Sequence, residues 1–357
     1  MKIVFSGGGT LGPVTPLLAI HEIIKEKYSD GRFIWVGTRK GPEKKLIEEK
    51  GIFFVSFSSG KFRRYFSFFN IIDVFKIIVG FFESLIFLKK ERPDLCVSAG
   101  GFVSVPLHLA AWFLRIPTWV HSQDVEVGLS IKLMAPFASL ITTALEKNAG
   151  NFSARKSKWL GNPIRSSVLA GDRNFAIAKF GLKGNLPVVF ATGGGTGSEN
   201  VNQAVAEAVQ HLNGVCEIIH LSGLERSREM SDKIATQYDY YHNFIFFAGE
   251  MKDAYAAADI VVSRGGFGTL TELAALAKPA IIMPKPGHQE ANVKFLALAE
   301  AIILADERTC SGVQLSSMIK ELLKDKKKME SMGKTLNILL PLAKKDDILN
   351  IIDFLVK

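Results

Sequence analysis

Cysteine is scarce in this chain of 357 residues: Cys96, Cys216 and Cys310 lie far apart, form no Cys-x-x-Cys pair and are odd in number. That pattern argues against a disulfide framework or a structural zinc site and suits a reducing cytoplasm. Long uncharged hydrophobic runs are missing as well. The stretch around Leu107 stops at Arg115, and the one after Ile71 is cut by Asp73, Lys76 and Glu83, short of the roughly 20 residues that a bilayer span requires. The chain opens Met-Lys-Ile-Val-Phe and runs directly into a strand and a glycine loop, so no secretory signal is expected.

What is present suffices for a core. Hydrophobic residues make up 48% and charged residues 22% of the chain, a balance that does not favour disorder. The length suits two domains of about 100–200 residues each. Charge is unevenly placed: residues 1–163 carry 22 basic and 13 acidic side chains, residues 164–357 carry 22 of each, and the net +9 therefore belongs to the first half. That excess implies a polyanionic or membrane-surface partner for the first half alone. Nucleic acid is the competing polyanion, but no recognised module or basic stripe supports it.

Short β-branched or aromatic runs alternate with longer amphipathic stretches, the signature of parallel strands joined by helices. Strands are expected at 2–5, 33–36, 53–57, 95–98, 118–121 and 140–143. The pattern restarts at 187–191 and continues at 217–220, 243–247, 259–263 and 280–283. Both halves begin with a strand that runs into a glycine-rich turn. The fold class read from this is α/β, two Rossmann-like domains facing across a cleft, 1–163 and 164–357. The final stretch, about 346–357, reads as a helix, and the sequence leaves open which domain it packs on.

Three loops carry candidate chemistry. Gly193-Gly-Gly-Thr-Gly197 follows a strand, where glycines let backbone N–H groups approach a phosphate and the next helix N-terminus adds partial positive charge. Tight left-handed turns demand glycine equally, so both readings stand. No Gly-Lys-Ser/Thr follows this loop, which argues against P-loop nucleotide hydrolysis. In Ser263-Arg-Gly-Gly-Phe-Gly-Thr-Leu-Thr-Glu272, Thr269 or Thr271 is expected to cap a helix. Glu272 there either complements the helix dipole or accepts hydrogen bonds from a ribose diol. His288, Gln289 and Asn292 crowd the loop after the strand at 280–283 and suit sugar hydroxyls.

Seven segments in order then carry a family resemblance. They are Gly8-Gly-Thr-Leu-Gly-Pro-Val-Thr-Pro16, Ser98-Ala-Gly-Gly-Phe-Val-Ser-Val-Pro106, His121-Ser-Gln-Asp-Val-Glu-Val-Gly128, Gly161-Asn-Pro-Ile-Arg165, the 193–197 loop, residues 264–272 and residues 288–292. Nearly the whole chain thereby resembles the MurG family of transferases, which add N-acetylglucosamine to a muramyl-pentapeptide polyprenyl diphosphate in peptidoglycan synthesis. The resemblance implies a two-domain glycosyltransferase fold, with UDP-N-acetylglucosamine held mainly by the C-terminal domain. It implies no cofactor. It further places Arg165, Gly195 and Thr196 at the diphosphate, the backbone near Ala248 at uracil, Glu272 at the ribose, and His288 with Gln289 at the sugar. Thr10, Gly12 and Asp124 fall in the loops expected to meet the lipid-linked acceptor.

Three departures matter. The family's first loop usually reads Gly-Gly-Thr-Gly-Gly-His, and that His position here is Pro13, which cannot transfer a proton. The family's His-Glu-Gln-Asn is His121-Ser-Gln-Asp124, and the usual Ser of the phosphate loop is Gly195. Transfer with inversion needs a base for the acceptor hydroxyl. Asp124 is the first candidate, with Glu126 and His121 behind it; equally, Asp124 only orients its loop. Leaving-group charge is met by Arg165, loop amides and a helix N-terminus, with no metal ligand set called for.

Residues 61–92 hold eight Phe and one Tyr, with seven Lys/Arg against three acids. From Ile71 the apolar set Ile71, Phe75, Ile78, Phe82 and Leu85 follows helical spacing, with Asp73, Lys76, Glu83 and Lys90 on a polar stripe, and an ordinary core helix is the favoured reading. The preceding Lys61-Phe-Arg-Arg-Tyr-Phe-Ser-Phe-Phe69 fits that less well. Phe62, Arg63, Arg64, Phe68 and Phe69 suit an interfacial anchor on anionic lipid, at the cytoplasmic face of a cell membrane as a peripheral protein. Two competing functions are a nucleotide-sugar epimerase of similar build, which needs no such anchor, and a non-catalytic UDP-sugar binder that lost its base at Pro13.

Overall fold

A strand buried on both faces reads as continuous Val, Ile and Phe, and such runs assemble here into two parallel sheets. The computed structural model describes residues 1–60, 69–194, 197–224, 226–227, 229–247 and 249–356, with the backbone alone for 69–72, 74 and 288. The chain divides into two units, Met1–Arg165 with Leu342–Lys357, and Ser166–Pro341.

The first unit holds β1 (Lys2–Ser6), β2 (Arg32–Thr38), β3 (Phe53–Phe57), β4 (Leu95–Ser98), β5 (Thr118–Ser122), β6 (Leu140–Thr143) and β7 (Ser157–Trp159), in the order β3-β2-β1-β4-β5-β6-β7. The second holds β8 (Val188–Thr192), β9 (Glu217–Leu221), β10 (Tyr241–Phe244), β11 (Ile260–Ser263), β12 (Ala280–Ile282) and β13 (Ile303–Leu304), in the order β10-β9-β8-β11-β12-β13. Every paired neighbour runs parallel. The two-sheet α/β architecture is the one expected. Strand order reverses beside β1 in one sheet and beside β8 in the other, and loops at such points are where ligands bind in open α/β sheets.

The differences are local. β7 (three residues, Ser157-Lys-Trp159) has no apolar run for periodicity to detect, and β13 is a two-residue strand inside the short run 301–305. β10 lies earlier than the expected 243–247, because Tyr241 pairs with Ile218. Phe247 instead leaves the strand and stacks into the core, 5.3 Å from the ring of Phe180.

The end of the chain belongs to the first unit. Ala343 N–H donates to Asn162 O at 2.9 Å, and the helix Lys345–Leu355 lays Ile348, Ile351, Ile352 and Leu355 into the core that Leu17, Ile20 and Ile24 of the helix Val14–Lys27 also fill. Lys27 meets Asp353 at 2.9 Å, but both side chains are about two-fifths exposed. Such pairs contribute about 0–1 kcal/mol, so apolar burial holds the helix.

The helix Phe69–Glu91 is turned the opposite way from the expected core helix. Phe75, Phe82 and Ile86 are 65%, 58% and 71% exposed, and Ile78 and Val79 are exposed beside them. Its inward stripe is Asp73, Gly80, Ser84 and Leu88. Gly80 explains the inversion, since a Cβ there would overlap Ser58 O and press on Pro106 Cγ at 3.3 Å. Only a small-residue face lets this helix approach so closely, and Ser84 returns its hydroxyl to Gly80 O at 2.6 Å. Glu83, expected in solvent, accepts from Ser58 N at 2.6 Å and from Arg39 at 3.1 Å. Phe75, Ile78, Val79, Phe82 and Ile86 are left facing outward, while Leu88 is buried and Phe81, Leu85 and Phe87 pack against the core. Phe62, Arg63, Arg64 and Phe68 lie outside the described residues, and Phe69 starts the helix.

Candidate active site

In the first unit the loops after β1, β4 and β5 are locked together by backbone contact and buried side chains. Gly101, in the left-handed region at φ +90°, packs so closely that a Cβ would sit 2.9 Å from Gly8 O. Ser104 Oγ, on the next helix, donates within 3.0 Å of both Ser6 O and Gly100 O. Glu43, fully buried, accepts from Thr38 N at 2.7 Å, Thr38 Oγ1 at 2.6 Å and Gly9 N at 3.2 Å. A Cβ at Gly8 or Gly41 would overlap that carboxylate, so the glycines make room for a strut rather than only for a ligand.

Gln123 Nε2 donates to Gly12 O at 3.1 Å, and Thr15 Oγ1 to the same oxygen at 3.3 Å. Thr10 is exposed at this loop's tip and Gly12 is half-buried. The structure therefore brings Thr10, Gly12 and the loop of Asp124 together. Asn148, buried, donates to Asp124 O at 2.7 Å and Val125 O at 3.3 Å, which fixes the backbone that carries the Asp124 carboxylate. Glu126 is exposed on the same loop.

His121 sits elsewhere. It lies in β5, fully buried, with Nδ1 2.9 Å from Thr142 Oγ1, which also accepts from Trp119 Nε1 at 2.8 Å. Burial pushes its ring down to about 4. An imidazole enclosed in this way meets no acceptor hydroxyl, so the burial argues against His121 as the base and leaves the carboxylates Asp124 and Glu126.

In the second unit Gly194 and Gly197 hold φ of +83° and +78°, a region that side chains rarely adopt. A Cβ on Gly193 would overlap Ser198 N, and one on Gly197 would overlap Ser222 O. Gly195 and Thr196 lie outside the described residues, as does Ala248. Ser198 caps the helix Glu199–Val209 by accepting from Val201 N. Beneath the loop, His220 bonds Tyr241 Oη at 2.6 Å and Asn202 Oδ1 at 3.1 Å, and Asn202 Nδ2 donates to Ser222 O at 2.8 Å.

The remaining loops follow the same logic. Neither Thr269 nor Thr271 caps the helix Phe267–Ala275; Gly266 is the N-cap, and Thr271 Oγ1 turns back to Gly268 O at 2.8 Å. Glu272, half-buried, accepts from the fully buried Tyr255 hydroxyl at 3.0 Å, which orients its carboxylate. Gln289 Oε1 accepts from Lys285 N at 2.9 Å, and the Gln289 amide lies near Gly266. His288 begins the helix His288–Leu298, while Asn292 is buried rather than offered to a ligand. Arg165 is half-buried at the end of the first unit. Sequence reasoning missed Glu43, Asn148, Ser198 as a cap, Tyr255 and Glu307. Only Ser198, a serine just before a helix, left a readable signal.

Comparison with known proteins agrees with this layout. Residues 3–143 match the glycosyltransferase family 28 N-terminal domain, and residues 188–347 its C-terminal domain. A Bacillus anthracis protein named UDP-N-acetylglucosamine–N-acetylmuramyl-(pentapeptide) pyrophosphoryl-undecaprenol N-acetylglucosamine transferase 2 is 37% identical over 325 residues, 89% of this chain and 90% of its own. A Legionella pneumophila (strain Paris) transferase of the same name without the numeral is 33% identical over 345 residues, 94% of this chain and 93% of its own. Among solved structures, Acinetobacter baumannii MurG superposes with a TM-score of 0.74 at 21% identity, covering 99% of this chain and 98% of its own. A putative UDP-N-acetylglucosamine 2-epimerase from Listeria monocytogenes reaches 0.70 at 12% identity, covering 99% and 94%. At those identities the two structures speak to the fold alone.

The burial of His121 sets a pH dependence. In the unfolded chain an imidazole takes its proton near pH 6.5, whereas the folded ring resists until about 4. The unfolded state then binds more protons, so stability present above pH 6.5 is lost as pH falls towards 4. Ring-proton NMR should show His121 neutral from pH 8 down to 5; a ring that titrates near 6.5 would contradict its enclosure.

Proposed function

As the chain belongs to the family of UDP-N-acetylglucosamine–N-acetylmuramyl-(pentapeptide) pyrophosphoryl-undecaprenol N-acetylglucosamine transferases, we propose that it catalyses the family's reaction. N-acetylglucosamine passes from UDP-N-acetylglucosamine to the muramyl-pentapeptide diphosphate polyprenol (lipid I), with inversion at the anomeric carbon, giving lipid II. The observation that carries this reading is 37% identity across 325 residues to a transferase of that name. The epimerase alternative is supported by solved structures at 12% and 15% identity, which speak to the fold alone.

The second unit takes the donor. The 193–197 loop and the N-terminus of the helix Glu199–Val209 receive the diphosphate, Glu272 takes the ribose diol, and His288 with Gln289 takes the sugar. Arg165, where the first unit's segment Met1–Arg165 ends, is the cation proposed for the diphosphate. The first unit takes the acceptor at Thr10, Gly12 and the Asp124 loop. Asp124 is the proposed base: it removes the acceptor hydroxyl's proton as that oxygen attacks the anomeric carbon and the bond to the UDP oxygen breaks. Pro13 has no proton to move, and the loop of Asp124 is tied to the Pro13 loop through the Gln123–Gly12 hydrogen bond.

The acceptor's lipid requires a membrane surface, and the outward face of the helix Phe69–Glu91 suits one. Phe75, Ile78, Val79, Phe82 and Ile86 form an exposed apolar stripe, with Lys76, Lys89 and Lys90 also exposed on the same helix. Exposed apolar clusters rimmed by charge mark such surfaces. No helix among the described residues is long and apolar enough to cross a membrane. The protein is thus proposed to bind peripherally, at the cytoplasmic face of the cell membrane, where a UDP-sugar is available.

Radiolabelled donor with a muramyl-pentapeptide diphosphate polyprenol should yield labelled lipid, and Asp124→Asn should lower kcat by about 10²–10⁴-fold while UDP still binds. UDP binding without transfer in the unaltered chain would favour the non-catalytic binder. Near-normal turnover in Asp124→Asn would move the base to Glu126. Replacing Phe75, Phe82 and Ile86 with Ser should release the protein from anionic vesicles in a sedimentation assay. Unchanged sedimentation would show that this face serves something other than lipid.

A further inference from the structure

A single buried carboxylate joins two loops of the second unit. Glu307, beyond the end of β13, has a side chain only 1% exposed. Its Oε1 accepts from Ser198 Oγ at 2.8 Å, from Arg264 Nε at 3.1 Å and from Arg264 Nη2 at 2.5 Å. Ser198 is the cap of the helix Glu199–Val209, and its backbone N–H is the atom that a Cβ on Gly193 would overlap. Arg264 immediately precedes Gly265 and Gly266, which lead into the helix Phe267–Ala275 that carries Glu272. One oxygen therefore ties the glycine loop and its helix N-terminus to the loop that launches the ribose-facing helix.

We propose that Glu307 is a positioning residue for the donor's diphosphate, acting through Ser198 and Arg264 on the loop carrying Gly193, Gly194 and Gly197 and on the N-terminus of the helix Glu199–Val209. This rests on the reading of that loop as the phosphate site. The hydroxyl of Ser198 has one proton, and giving it to Glu307 leaves the oxygen's lone pairs for the Val201 amide, so the cap's orientation is fixed. The carboxylate also engages Arg264 through two N–H groups, which fixes that guanidinium and the start of its own loop. Stability alone is a poor account of the cluster, because buried ion pairs are often matched by apolar residues of equal volume. Removing the carboxylate leaves Arg264 uncompensated and frees the Ser198 cap beside the glycine loop.

The test compares UDP with uridine, which share a base and ribose and differ in the diphosphate. Affinities are measured by calorimetry for UDP and by NMR titration for uridine, on the whole chain, with melting curves to confirm folding. Glu307→Gln keeps an acceptor but not the charge, and should weaken UDP by about 10- to 100-fold, the scale for a charged hydrogen bond, with uridine affinity unchanged. Ser198→Ala removes one bond only and should shift the same ratio in the same direction, which keeps the proposal testable if Glu307→Gln fails to fold. The double variant should be no worse than Glu307→Gln alone, since both act through one contact. An unchanged UDP-to-uridine ratio in the variants would overturn the positioning role while leaving the donor reading intact. Failure of the unaltered chain to bind UDP would overturn both.

Discussion

Every strand in both sheets runs the same way, and that constraint organises the rest of the molecule. Parallel strands return through helices, so each sheet collects its strand C-termini and the N-termini of the following helices along one edge. Backbone N–H groups and the positive ends of helix dipoles gather there without any side chain being spent on it. Loops on that edge are crowded. Gly8 meets Gly101, Gly193 meets Ser198, and Gly197 meets Ser222, each at a separation that leaves no space for a Cβ.

Crowded loops need fixing, and the two units fix theirs in the same manner. Glu43, Asn148 and Glu307 are buried polar side chains that reach from a neighbouring element to brace a loop. A buried carboxylate or amide left unpaired costs about 1–3 kcal/mol, so each brace holds its loop in the one shape that satisfies it. Glu43 does this with three neutral donors, whereas Glu307 recruits a guanidinium as well. Tyr255 does the same for Glu272 with a single hydroxyl.

The strands of the sheet interiors were legible because double burial writes them as apolar runs: Ile3, Val4 and Phe5 in β1 have the same character as Val188, Val189 and Phe190 in β8. The glycine loops were legible because close approach restricts residue choice. Three things were not. The helix Phe69–Glu91 shows Phe75, Ile78, Val79, Phe82 and Ile86 outward, and only the small pair Gly80 and Ser84 hinted at which stripe faced inward. His121 was weighed as a base because periodicity does not say how deeply a strand residue is buried. Glu307 follows a two-residue strand and meets partners 43 and 109 positions away, a separation that no local pattern encodes.

In the proposed reaction the nucleotide lies on the loops of the second unit and the acceptor on the loops of the first. Hydrogen–deuterium exchange of the whole chain, with and without saturating UDP, tests that division most directly. Slowed exchange is predicted in peptides spanning 193–197, 264–272 and 284–292, with exchange unchanged in the loops after β1 and β4. Protection of residues 7–12 and 99–103 by UDP alone, with none in the second unit's loops, would contradict it.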